Sequence, residues 1–181
     1  AEPKLHPGVG SFEFSAAAYS VGESGPVAEI IVNRNGGSGT ATVNVATSDG
    51  TAVAPGDYAD SDQVLTFGAG VTSQTITIPI VNDTIDEPDE TINLALSNPT
   101  GGAVLGSQST ATLTIADDDE SGNLQFSAAT YAVGESGPVA VITASRVGGS
   151  SGTVAVSVST SNGTAVAPGD YTDSDQVLTF G

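Results

Sequence analysis

The chain has no cysteine, and only 3 of its 181 residues are lysine or arginine. Without cysteine there is no disulfide framework and no thiol chemistry. Against those 3 cations stand 21 aspartates and glutamates, for a formal charge of −18. Such a chain lacks the basic contacts that nucleic-acid phosphates require and that anionic membrane surfaces attract. No apolar run approaches the roughly 18 residues that mark a spanning helix. Neither nucleic acid nor membrane insertion is therefore expected. The chain opens at Ala1 with no signal-like stretch, which a processed N-terminus would share, so this says little about export. The single histidine, His6, falls in a tail expected over residues 1–11 and reads as solvent-exposed, not as a ligand. No stretch carries helical periodicity.

What is present excludes a disordered acidic chain, which would be poor in β-branched residues. Hydrophobic residues make up 38%, and Val, Ile and Thr recur in alternating runs. The chain also repeats itself. "FSAAAYSVGESGPVAEI" from Phe14 returns as "FSAATYAVGESGPVAVI" from Phe126, and "TSDGTAVAPGDYADSDQVLTFG" returns as "TSNGTAVAPGDYTDSDQVLTFG", ending at Gly181. The offset is 112 residues at first and 113 after one insertion near Gly149–Gly152, the size of a whole domain and not of a solenoid unit. Nothing in the second copy corresponds to Val71 through Asp119. The expected organisation is a complete domain over 12–120, followed by an incomplete second repeat over 121–181 holding the first four strands.

Period-two alternation places strands over Phe12–Val21 (broken near Ala16), Val27–Asn33, Thr40–Thr47, Gln63–Phe67, Gln74–Val81, Glu90–Leu96 and Ala111–Ala116. Gly, Pro, Asn, Asp and Ser clusters separate them. Seven short strands in about 100 residues predict an all-β fold, an antiparallel immunoglobulin-like two-sheet sandwich. Pro79 conflicts with a central strand and predicts an edge position or a bulge.

The acids are not scattered. In such a sandwich the first, third and fifth connections share one end with the exit of the last strand. The second, fourth and sixth connections, at the opposite end, carry no Asp or Glu. The first carries Glu23. The third carries Asp49, Asp57, Asp60 and Asp62, and the fifth, "NDTIDEPDE", carries Asp83, Asp86, Glu87, Asp89 and Glu90. The exit carries Asp117, Asp118, Asp119 and Glu120. Crowded like charges destabilise the fold unless a counter-ion joins them. Ca²⁺ takes six to eight oxygen ligands in flexible geometry, which converging loops can supply, whereas Mg²⁺ is stricter. Zn²⁺ would want His or Cys. The acidic loop is not an EF-hand, because it lacks the central Gly and the twelve-residue spacing. "GESGP" is a turn and not a nucleophile elbow. With no aromatics to line a cleft beside the carboxylates, no enzyme is expected. The recurring Tyr19, Tyr58, Tyr131 and Tyr171 read as core or corner packing, and Arg34 and Arg146 as local surface contacts at the acid-free end.

At "YSVGES", "TSDGTAVAPGDY", "VNDTIDEPDETINLALSNP" and "ATLTIADDD" the sequence resembles the Calx-beta repeat family, known from cytosolic regulatory domains of sodium–calcium exchangers, an integrin tail and bacterial surface proteins. The resemblance implies the same sandwich and a calcium site. Carried onto this chain, the implied ligands are Glu23, Asp57, Asp83, Glu87, Glu90, Asp117, Asp118 and Asp119, with the backbone carbonyl of Ile85. Asn82 stands where the fullest family sites have an acid, which implies fewer or weaker ions. Glu135 and Asp170 would form a partial second site.

The resulting expectation is a tandem calcium-binding structural module of a secreted or cell-surface repeat protein, with Ca²⁺ stiffening the loops and the interdomain junction. The Gly, Ser, Thr and Ala-rich composition and the cysteine-free, near-identical repeats point to an extracellular or cell-surface location. Expected partners are calcium ions and neighbouring repeats, with strand exchange or pairing through the incomplete copy. The alternatives are a calcium-independent spacer or adhesive repeat, and an intracellular calcium-sensing regulatory domain.

Overall fold

The computed structural model describes residues 10–181, so His6 and nearly all of the expected tail lie outside the described residues. Contacts divide the chain into two compact units, residues 1–83 with 88–118, and residues 84–87 with 119–181. Among the described residues every regular element is a strand.

In the first unit, β1 (Ser11–Phe14), β2 (Ala18–Gly22), β3 (Val27–Asn35), β4 (Ala41–Asp49), β5 (Asp62–Phe67), β6 (Ser73–Pro79), β7 (Glu90–Ser97), β8 (Val104–Leu105) and β9 (Thr110–Ala116) build two sheets. One has the order β6-β3-β1-β8 and the other β2-β9-β7-β4-β5. This is the expected all-β sandwich. The expected break in the first strand separates β1 from β2, which lie in opposite sheets. The Tyr19 hydroxyl secures the crossover: it donates to the Ile31 carbonyl at 3.0 Å, accepts from the Ala16 amide at 3.3 Å and lies 3.0 Å from Ser15 Oγ. Pro79 ends β6, an edge strand, where its missing N–H costs no central ladder bond. β8, which pairs in parallel with β1, is too short to show alternation in the sequence.

Alternation puts one face of each strand inward. Ile30 and Val32 of β3, Val43 and Val45 of β4, Ile76 and Ile78 of β6, Ile92 and Leu94 of β7 and Leu113 of β9 are all buried. The Phe12 and Phe67 rings meet across the sheets at a centroid distance of 5.0 Å. Each such side chain, fully removed from water, contributes roughly 1.5–3 kcal/mol. Arg34, expected on the surface, is buried, with Nη1 donating to the Gly39 carbonyl at 2.7 Å. It folds back against the Gly37 turn, where glycine has no side chain to crowd it: a Cβ there would meet Arg34 Nη2 at 3.0 Å.

The second unit contains β10 (Asn123–Phe126) paired with β11 (Ala144–Val147), and β12 (Val154–Ser159) paired with β13 (Asp175–Phe180). These limits follow from the first unit. Residues 144–147 match Val32–Asn35, which pair with β1, whereas 139–143 match Val27–Ile31, which pair with β6 alone. The former form a strand and the latter do not. Likewise β12 matches residues 41–46, the part of β4 paired with β5, and stops where pairing with β7 alone begins. Residues 130–134 match β2, whose one partner is β9, and they too are irregular. A strand forms here only where its partner is present.

The same contrast sets the cost of truncation. Phe67→Ala should lower the stability of the first unit by about 3–5 kcal/mol, the range for a fully buried aromatic. Phe180→Ala, at the matching but half-buried position, should cost well under half of that. Urea unfolding of each variant, resolved by local hydrogen exchange, checks the ratio.

Candidate metal centre

The ladders of the first unit carry its acids to one place. β2 runs parallel to β9 with Gly22 opposite Ala116, and the Glu23 amide extends that ladder by donating to the Ala116 carbonyl at 2.8 Å. Glu23 therefore stands beside Asp117, the first residue past β9. Their carboxylate oxygens come within 4.8 Å of each other. Glu23 is buried, and its Oε1 accepts from the Asp83 amide at 3.1 Å, which ties the first connection to the fifth. The Asp117 amide donates to Asp89 Oδ1 at 3.2 Å.

The third connection reaches the same region through Tyr58, which forms a bridge with Ile80, and through the Asp57 carbonyl, which accepts from the Val81 amide at 2.9 Å. Glu90, paired opposite Ile115, opens β7 at this end. Asp57 and Glu90 bring carboxylate oxygens within 4.8 Å. The first, third and fifth connections and the exit of β9 thus converge, as the acid pattern predicts.

The remaining expected site residues are placed as follows. Asp118 is exposed at the end of the first unit, and Asn82 is exposed with Nδ2 donating to the Asp83 carbonyl at 3.0 Å. Ile85, Glu87 and Asp119 fall in the segments counted with the second unit. So does Asp86, which accepts from Ser121 Oγ at 2.6 Å and from its amide at 3.1 Å. Those two donors hold the Asp86 carboxyl below the usual carboxylate range. Glu135 and Asp170 are exposed in the second unit, with the Val166 amide donating to Asp170 Oδ2 at 2.9 Å.

The chemistry of the donors fits a hard cation. All the gathered side chains offer oxygen, and among the described residues Asp117 Oδ1 is buried with no hydrogen-bond partner. A buried charged oxygen without a donor is costly, and a cation at this position would satisfy it. Calcium is the ion whose oxygen preference and flexible coordination suit such a set.

Asp49, read from the sequence only as one more loop acid, and Tyr58, read as core or corner packing, together hold the site in shape. Asp49 Oδ1 accepts from the Tyr58 hydroxyl at 2.8 Å and from the Ala54 amide at 3.1 Å. These bonds fold the loop in which the Val53 amide donates to Asp57 Oδ2 at 2.6 Å. Gly50 lets this loop lie on β7, since a Cβ there would collide with the Thr91 carbonyl. The Ala54 amide, and next the Tyr58 hydroxyl, hold the Asp49 carboxyl below its ordinary value, while burial and then Asp49 raise the Tyr58 phenol. The matching position of the second copy is Asn162, which accepts from the Ala167 amide at 2.8 Å and the Tyr171 hydroxyl at 2.9 Å. The two copies together carried this signal: an Asp/Asn exchange keeps the oxygen and drops the charge.

Asp49→Asn should therefore preserve the loop, whereas Tyr58→Phe should cost about 1 kcal/mol, a typical net hydrogen bond. Because the folded-state value of Asp49 is depressed, its contribution is present above the unfolded-state value near 3.9 and is lost as pH falls through the folded value. NMR titration of the carboxyl carbon should give a midpoint below 3.8 for Asp49, moved upward in the Tyr58→Phe variant.

A model of the Calx-beta domain matches residues 7–119 and 117–181. The chain is 34% identical over 168 residues to the sodium/calcium exchanger Calx of Drosophila melanogaster, covering 92% of this chain and 18% of that protein. It is also 34% identical over 187 residues to sodium/calcium exchanger 1 of Canis lupus familiaris, covering 92% and 19%. The chain thus spans under a fifth of the length of these relatives. Among solved structures, the calcium binding domain CBD12 of CALX1.1 aligns with a TM-score of 0.62 at 32% identity, over 93% of this chain and 69% of that one. The apo-form Calx CBD1 domain aligns at 0.60 and 35% identity, over 61% of this chain and 99% of that one.

These relatives correct one expectation. Exchanger domains of this type are cytoplasmic regulatory domains, and this overturns the extracellular or cell-surface location drawn from composition. The physical reason lies in the fold. Gly and Ser supply turns and Thr the outward strand faces, so this composition reports the sandwich and not the compartment.

Proposed function

The chain belongs to the Calx-beta domain family, and from that premise we propose that it is a calcium-binding module of the regulatory kind, in which Ca²⁺ joins the acidic loops at one end of the sandwich. The observation that carries this reading is the meeting of Glu23 with Asp117, where a buried carboxylate oxygen has no donor. The related CBD12 structure of CALX1.1, a calcium binding domain, supports it. The kinship with exchangers favours the intracellular calcium-sensing alternative over the structural reading.

The proposed ligands are Glu23, Asp57, Asp83, Glu87, Glu90, Asp117, Asp118 and Asp119, with Asn82 and the Ile85 carbonyl as neutral oxygen donors. Glu135 and Asp170 constitute a partial second site. The first domain is taken as 12–120, with a second repeat of the same family over 121–181. Bound Ca²⁺ offsets the carboxylate repulsion and orders the loops. Glu23 and Asp117 supply charge from backbone ladders that are already rigid, and Asp57 does so from a loop held by Asp49 and Tyr58. The module has no catalytic role and inserts in no membrane. Among the described residues no helix is long and apolar enough to cross one.

Thermal unfolding in Ca²⁺, in equal Mg²⁺ and in excess EGTA tests the proposal. At a hundredfold excess over Kd, an ion bound only to the folded state adds about 2.7 kcal/mol, so Ca²⁺ should raise the melting temperature of the first unit by several degrees and Mg²⁺ by much less. Asp117→Asn should weaken Ca²⁺ binding at least tenfold by calorimetry while leaving the EGTA melting curve unchanged or raised, since it removes one repelling charge. Superimposable curves in all three conditions would favour the calcium-independent spacer. Submicromolar affinity with a conformational change would identify a sensor.

A further inference from the structure

Where the two copies overlap they differ in length at one place. The turn between β11 and β12 reads GGSSG over residues 148–152, where the turn between β3 and β4 reads GGSG over residues 36–39. Ser38 of the shorter turn is exposed, whereas Ser151 of the longer one is only 6% exposed. The buried hydroxyl has a specific partner: Ser151 Oγ donates to the Thr84 carbonyl at 2.5 Å. The Ser151 amide donates to the Glu120 carbonyl at 3.0 Å. Thr84 opens the segment 84–87, a piece of the fifth connection that is part of the second unit.

A second hold on the segment lies two residues on. Asp86 Oδ2 accepts from Ser121 Oγ at 2.6 Å and from the Ser121 amide at 3.1 Å. Arg146 braces both holds. Its Nε donates to the Ser121 carbonyl at 2.7 Å, its Nη1 to the Gly152 carbonyl at 2.8 Å and its Nη2 to the Ser151 carbonyl. Gly149 lets the turn lie on the chain at 120–122, since a Cβ there would collide with the Glu120 carbonyl. The segment is thus fixed at Thr84 and at Asp86, on either side of Ile85, by bonds that require no cation.

We propose that Ser151, together with Ser121, is a positioning residue for the proposed calcium ligands of the fifth connection. The proposal rests on the calcium reading above, in which the Ile85 carbonyl and the Glu87 carboxylate are ligands. A group already held in place loses less conformational freedom when the ion arrives, and the difference appears as affinity. Asp86 has a separate task in this arrangement: its Oδ2 is committed to Ser121, and it holds the segment instead of the ion. The extra serine of the longer turn supplies the other hold, so the single insertion that distinguishes the second copy acts on the proposed site.

The experiment uses the full chain and two readouts: NMR relaxation of the Ile85 and Glu87 amides in EGTA, and Ca²⁺ affinity by calorimetry. Ser151→Ala should loosen both amides in EGTA and weaken Ca²⁺ binding about fivefold, the worth of one net hydrogen bond. Ser38→Ala, in the exposed turn of the first copy, should change neither. Asp86→Ala should loosen the same amides, whereas Asp86→Asn keeps an acceptor oxygen for Ser121 and should leave them ordered. Both Asp86 variants remove one charge, so the tighter Ca²⁺ binding expected of Asp86→Asn reads the hydrogen bond itself, and this pair decides the matter should Ser151→Ala unfold the second unit. Amides as ordered in Ser151→Ala as in the wild type overturn the proposal, as does loosening without loss of affinity or equal affinity in the two Asp86 variants. A wild-type chain that binds no Ca²⁺ overturns the calcium reading and this proposal together, whereas wild-type binding with unaltered affinity in Ser151→Ala overturns this proposal alone.

Discussion

A β-ladder needs both of its strands, and most of this structure follows from that requirement. A backbone N–H or C=O withdrawn from water must find a partner, and in this chain, where every regular element among the described residues is a strand, the partner is mostly a neighbouring strand. The two copies demonstrate the point within one chain. The matching stretches, VAEII and VAVIT, form a strand at Val27–Ile31 and are irregular at 139–143, because β6 stands beside the first alone. The second has Val in place of Glu and β-branched Thr in place of Ile, so it lacks no β-preference, and pairing decides.

The ladders also determine where charge collects. The parallel match of β2 to β9 carries Glu23 to Asp117, and the Tyr58–Ile80 bridge carries Asp57 toward the fifth connection. Acids distant in sequence are thereby held on rigid supports and cannot relax apart. The repulsion is built in by the same hydrogen bonds that stabilise the sandwich. A cation that accepts oxygen ligands converts it into attraction, which is the physical basis of the proposed calcium role.

Support for the acids comes from ordinary core chemistry. Tyr58 has its ring in the core and its hydroxyl on Asp49, so burial of the aromatic and shape of the acidic loop are one event. Asn162 and Tyr171 repeat the arrangement in the second unit. The loop that presents Asp57 therefore depends on an oxygen acceptor at position 49, not on its charge. At the opposite end of the first unit Arg34 is folded in against Gly37 and Gly39.

The sequence by itself determined the strand periodicity, the domain-sized repeat and the confinement of loop acids to alternate connections. Those features follow from local alternation and from antiparallel succession, which need no coordinates. The sequence also indicated a break near Ala16 and, at Pro79, either an edge position or a bulge, of which the structure shows the edge. Tertiary structure decided what depends on distant partners: the β1–β8 pairing, the burial of Arg34, the Asp49–Tyr58 bond and the orphaned oxygen of Asp117. It also decided that 130–134 and 139–143 are not strands, because a ladder is a property of two segments and no pattern within one segment reports whether the other is there.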